Sequence, residues 1–155
     1  MEVARVERHG RQLTASGTQL GVLYELRYRL EPQVLALDLV GERSAEIALG
    51  DADFFDLGWS PLFNSLPVIR DRLLQSETPR EYLMRWVDVP SLELIESRQR
   101  YEPLGGACVR FRSGSFSADI RFDSDGFVTS YPGIARVPEH WPDRVAPCRH
   151  APLSC

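Results

Sequence analysis

The 155-residue chain contains no lysine: all 18 of its basic residues are arginines. That absence excludes Schiff-base catalysis, a P-loop with its phosphate-reaching lysine, and a lysine-rich membrane anchor. Acidic residues exceed basic ones, for a net charge of -4 and a pI near 5.4. Binding to phosphate backbones needs a clustered positive field, so no nucleic acid partner is expected. No apolar run approaches the ~18 residues of a membrane-spanning helix. Cysteine is scarce. Cys108, Cys148 and Cys155 form an odd set without a C-x-x-C pair, which argues against both a disulfide scaffold and a zinc ribbon. Free thiols in the tail of a cytoplasmic protein are the expectation, with a Cys148–Cys155 bridge left open for an oxidising setting. Met1-Glu2-Val3-Ala4-Arg5 lacks the apolar segment of a secretory signal.

Catalytic signatures are also missing. There is no G-x-S-x-G, H-E-x-x-H, glycine-rich phosphate loop or dinucleotide fingerprint, so no cofactor and no metal are expected. His9 precedes a glycine turn, and His140 and His150 lie among prolines. Ser60 and Ser65 qualify as nucleophiles by type alone, with no base assigned to either.

With 43% hydrophobic and 26% charged residues, the chain has the makings of one soluble domain with a sizeable core. The clearest pattern is period two. From Gln19 to Leu30, apolar Leu20, Val22, Tyr24, Leu26, Tyr28 and Leu30 alternate with Gly21, Glu25, Arg27 and Arg29, which predicts a long half-buried strand with the arginines on a solvated face. Val34–Val40 continues as its hairpin partner. Further strands are predicted over 45–49, 82–89, 92–101, 107–112, 116–122 and 127–131. Helical periodicity is nearly absent, with at most a turn or two in 67–76. Many short strands without helices predict an all-β, mainly antiparallel fold: a curved sheet closing into a β-roll or incomplete barrel with an apolar interior, and few or no helices. The roll is placed at residues 1–137 and a proline-rich tail at 138–155.

Two hairpins can be given registers. Around Arg112-Ser113-Gly114-Ser115, matching apolar faces pairs Phe111 with Phe116 and Val109 with Ala118, and sets Arg110 opposite Ser117. Asp123-Ser124-Asp125-Gly126 is a strong turn signal. A four-residue connection pairs Phe122 with Phe127; a three-residue loop with a glycine bulge pairs Phe122 with Val128.

The segment 51–70 reads as an apolar loop. Loops are ordinarily polar because their backbone groups need water, so one carrying Phe54, Phe55, Trp59, Leu62, Phe63 and Leu66 must pack against something. It either plugs one end of the roll or walls a pocket in which Asn64 and Arg70 orient a ligand.

Within this loop, residues 56–68 (Asp-Leu-Gly-Trp-Ser-Pro-Leu-Phe-Asn-Ser-Leu-Pro-Val) resemble the signature of the bacterial putative glycolipid-binding family. Arg85-Trp86-Val87-Asp88-Val89-Pro90-Ser91-Leu92, Gln99-Arg100-Tyr101, and Phe122 to Val128 with Tyr131-Pro132-Gly133 look like its later motifs, in the same order. The similarity covers roughly residues 20–137. Val68-Ile69-Arg70-Asp71-Arg72 departs from the family's adjacent arginines. The resemblance implies an antiparallel β-roll, similar in outline to open barrels that carry lipids, with a cavity suited to an acyl chain.

The leading expectation is therefore a binding protein for an amphiphile or lipid. Trp59, Phe63, Trp86, Tyr101 and Tyr131 would contact the apolar part, and Asn64, Arg70 and Arg100 the head group, since the arginine fork suits carboxylate or phosphate. The alternative is a small enzyme that cyclises or isomerises an apolar substrate by confinement, with Asp56, Asp88 or Tyr101 as acid or base. The bland pairing for Asp88 is Arg85 or Arg70. Exposed sheet edges make a homodimer a reasonable expectation.

Overall fold

The computed structural model describes residues 4–9, 12–19, 22–30, 33–39 and 43–136. The tail at 138–155, with Cys148, Cys155, His140 and His150, lies outside the described residues. Strands dominate, as expected. They are β1 (Ala4–His9), β2 (Gln12–Gln19), β3 (Val22–Leu30), β4 (Gln33–Leu39), β5 (Arg43–Ala48), β6 (Phe54–Leu57), β7 (Arg80–Val87), β8 (Leu94–Gly105), β9 (Cys108–Ser113), β10 (Phe116–Phe122), β11 (Val128–Tyr131) and β12 (Ala135–Arg136). One α-helix, α1 (Pro61–Arg70), and a 3-10 turn at Leu73–Gln75 complete the described elements. The sheet orders are β1-β2-β3-β4-β5 and β12-β11-β10-β9-β8-β7-β6. The chain groups into two compact units, Met1–Phe63 with Tyr82–Ser97 and Asn64–Glu81 with Arg98–Cys155.

In the first unit, β1 to β5 form an antiparallel meander. Alternation puts Tyr24, Leu26 and Tyr28 of β3 and Leu35, Leu37 and Leu39 of β4 in the core, while Glu25, Arg27 and Arg29 are exposed. The long strand predicted from Gln19 divides, because Gln19 ends β2 and β3 begins at Val22. The stretch read as a loop departs most from expectation. Its Phe54–Leu57 run is buried on both faces and forms β6, which pairs in parallel with β7. A parallel pair needs a crossover, and α1 lies in that connection.

The helix escaped the sequence pattern for a physical reason. Its buried positions include Pro61, Asn64, Ser65 and Val68, a helical i, i+3, i+4, i+7 stripe whose two middle members are polar. Pro67 inside the helix further masks it. Pro61 at the first helical position needs no N–H partner.

In the second unit, β8 to β12 run as an antiparallel meander. Phe111 anchors its core, with ring centroids 5.4 Å from Tyr101 and 6.2 Å from Tyr131. At the β9–β10 hairpin the predicted register is off by two: Ala118 pairs with Phe111, Ile120 with Val109, and Asp119 with Arg110. A slip of two keeps every side chain on its own face, so alternation alone does not detect it. The tighter turn centres on Gly114 and Ser115, with Gly114 at φ 56, as the first central position of a two-residue hairpin demands. At β10–β11 the bulged alternative holds, with Phe122 opposite Val128. Asp123 accepts the N–H groups of Asp125 and Phe127 through Oδ1 at 3.0 and 2.9 Å. Cys108 is buried and disulfide-bonded, not a free thiol.

The corrected register gives Arg110 a fork onto Asp119, at 2.7 and 3.0 Å. The hydrogen bond and charge of Asp119 raise the Arg110 pKa above its ordinary value. A double-mutant cycle of Arg110→Ala and Asp119→Ala in urea should give a coupling energy of about 0.5–1 kcal/mol for this half-exposed cross-strand pair. A value of zero would contradict a stabilising role for this pair.

Candidate functional site

In the first unit the motif residues gather on β6, its turn and β7. Asp56 is buried and lies opposite Trp86 in the parallel ladder. Gly58 donates its N–H to Val87 O at 2.9 Å. A β-carbon at Gly58 would stand 2.7 Å from the Trp86 ring, so that indole occupies the space a side chain would need. Ser60 N–H closes the turn onto Leu57 O at 2.9 Å. The third turn residue, Trp59, has φ 65 and is 59% exposed. Glycine is the usual residue at a positive-φ turn position, and a bulky side chain there is an outlier. Ser60 Oγ is buried without a hydrogen-bond partner, and Phe63 is buried three residues on.

The same unit carries an open groove of about 670 Å³ on the outer face of its meander. One rung crosses four strands as Ser16, Glu25, Asp38 and Ser44; the next reads Thr14, Arg27, Ala36 and Glu46. It is a polar surface, unsuited to an acyl chain.

In the second unit, Asn64 Nδ2 donates to the Tyr101 hydroxyl at 3.0 Å, and that hydroxyl donates to Gln99 Oε1 at 3.1 Å. All three residues are buried. Ser65 Oγ accepts the Val128 N–H at 3.1 Å and pins the β10–β11 hairpin, which gives this serine a structural task. Tyr131 is buried against Phe111. The arginines expected at a head group are engaged at the surface: Arg70 forks onto Asp71 at 2.8 and 3.2 Å, and Arg100 pairs with Glu81 at 3.0 Å. A shallow pocket of about 480 Å³ has Val68, Ile69 and Leu74 on its wall, with Arg72 and Asp125 on its rim.

Two acid–base candidates are thus committed to structure. Asp88 accepts from Ser91 Oγ at 2.6 Å, not from Arg85 or Arg70, and Tyr101 bridges two amides. The structure brings Asn64 and Tyr101 together and sets Trp86 against Gly58, while Arg70 and Arg100 each meet a neighbouring acid. Among the described residues no cluster of three or more His, Cys, Asp or Glu could hold a metal, and no helix is long and apolar enough to cross a membrane.

The sequence model of the family described as putative glycolipid-binding matches residues 38–137, more than half of the chain. The chain belongs to this putative glycolipid-binding family. All four motifs fall within the matched span. The crystal structure of a DUF1089 family protein from Pseudomonas aeruginosa is similar in fold, with a TM-score of 0.68 at 21% identity over 88% of this chain and 92% of that one. No curated protein matches the sequence.

The sequence reading missed Gln99 as the acceptor of the Tyr101 hydroxyl, although Gln99 opens the third motif. Its place two residues before Tyr101 on one strand puts both side chains on one face. Tyr101→Phe removes the hydroxyl that links the two amides. It should cost about 1–3 kcal/mol in urea denaturation, as expected for an uncompensated buried hydrogen-bonding group; a change within experimental error would show that water replaces the hydroxyl.

Proposed function

We propose that this chain binds an amphiphile carrying an apolar chain and a polar head, and that Trp59 makes direct contact with it. The observation that carries the reading is Trp59 itself: a large indole, 59% exposed and at φ 65, inside the first family motif. Holding a non-glycine residue in the left-handed region costs roughly 1–2 kcal/mol, and an exposed indole returns little packing to offset it. Such strain collects where function needs a side chain in one place. Indole suits an amphiphile because it has an apolar body and a polar N–H. Family membership supports the same reading, extended to a sugar-bearing head. Phe63 and the half-buried Trp86 are the nearest companions in sequence and ladder for the apolar part.

Titration with dodecyl maltoside below its micellar concentration should shift the tryptophan emission to the blue. Trp59→Ala should weaken binding about tenfold, the scale of a tryptophan anchor in an interface, whereas Trp59→Phe should remove most of the spectral change and keep most of the affinity. Unchanged emission, with no complex in native mass spectrometry, would refute the proposal.

A further inference from the structure

We propose that Cys108 is one end of a reducible strap, a disulfide that ties β9 to a cysteine of the C-terminal segment, Cys148 or Cys155. This link stands apart from amphiphile binding and is independent of it.

Cys108 is disulfide-bonded. The chain has three cysteines in all, so its partner is Cys148 or Cys155 and one thiol is left over. Both of those residues lie outside the described ones, and Cys108 is the half of the bridge whose surroundings are described.

That half sits on the polar face of its sheet. Along β9, Val109 and Phe111 belong to the core, with the Phe111 ring against Tyr101. Alternation puts Cys108 on the opposite face with Arg110. There Arg110 meets Asp119, and Arg112 comes within 3.9 Å of Glu102. A residue on such a face is ordinarily open to water, yet Cys108 is only 2% exposed. Its neighbours across the strands are Gly105 on one side and Arg121 on the other. Gly105 offers no side chain, and the space where its β-carbon would stand is open. With one flank bare, the shelter of the sulfur falls to Arg121 and to the half-cystine bonded to it.

The turn before Cys108 fixes the anchor. Gly105, Gly106 and Ala107 take φ 76, 59 and 58 in succession, and Phe122 donates its N–H to Ala107 O at 3.0 Å. A bridge from residue 108 to 148 or 155 closes a ring of about 40 residues or more, a span over which a cross-link strongly restricts the unfolded chain.

Opening the strap is a two-electron exchange. A dithiol gives two electrons and two protons to the bridge; the S–S bond breaks, Cys108 and its partner become thiols, and the dithiol becomes a disulfide. Gly105 and Gly106 are exposed, which gives such a reagent an approach beside the sulfur. The strap therefore closes in an oxidising compartment and opens in a reducing one.

Trypsin separates the three cysteines, because cleavage after arginine leaves them in residues 101–110, 145–149 and 150–155. Wild-type protein is equilibrated in mixed oxidised and reduced glutathione, free thiols are capped with N-ethylmaleimide, and the unreduced digest is read by mass spectrometry. The expected product is 101–110 joined to one C-terminal peptide, with the other one capped. Dithiothreitol should lower the melting temperature of the wild type by about 5 °C or more, and Cys108→Ser should melt at the lower temperature with or without it. A bridge between 145–149 and 150–155, two copies of 101–110 joined to each other, or three unlinked peptides would overturn the proposal. A correctly mapped bridge whose reduction leaves the melting temperature unchanged would overturn the strap as well.

Discussion

The indole of Trp86 occupies the space where a side chain at position 58 would lie, and much of the local architecture follows from that contact. It requires glycine at 58, and the turn needs a positive φ at the next position. That position falls to Trp59. The turn then feeds Ser60 and Pro61 into α1, and the helix carries the chain across to β7, whose parallel pairing with β6 returns Trp86 to its place beside Gly58. The contact and the crossover support each other.

Buried polar groups fall into two kinds, those closed into networks and those left without a partner. In the second unit, Asn64, Tyr101 and Gln99 satisfy one another and Ser65 is used by a backbone N–H. Such closed sets fix a unique packing. Ser60 Oγ and Arg85 Nε in the first unit, and Thr129 Oγ1 in the second, are buried without partners. Ser60 and Arg85 lie in stretches that resemble family motifs, one in the turn with Trp59 and the other just before Trp86 in the chain. Ser60 Oγ, unmet beside the strained Trp59, fits the proposed ligand contact there, while a satisfied network is the pattern of a core.

Much of this was legible in the sequence, and the gaps have physical causes. Strands with one solvated face declared themselves through alternation, as Tyr24, Leu26 and Tyr28 did against Glu25, Arg27 and Arg29. The motifs identified the family before any geometry was known. Alternation could not separate registers two residues apart, and so hid the Arg110–Asp119 pair. Periodicity could not reveal α1, because Asn64 and Ser65 stand in its buried stripe and find partners more than thirty residues away in sequence. Nor could spacing show which charges pair: Arg70 and Arg100 looked available and are engaged, whereas Arg85 looked like a partner for Asp88 and is not.

The central claim is that the indole at position 59 is kept for a ligand and at the fold's expense. Equilibrium urea unfolding of Trp59→Gly tests it most directly. Glycine accepts φ 65 without strain but adds freedom to the unfolded chain, terms of about 1–2 and 0.5–1 kcal/mol in opposite directions. The account predicts a variant at least as stable as the wild type, with an unchanged m-value and amphiphile binding lost. A variant destabilised by more than about 1 kcal/mol would contradict it, because the indole would then be holding the fold together.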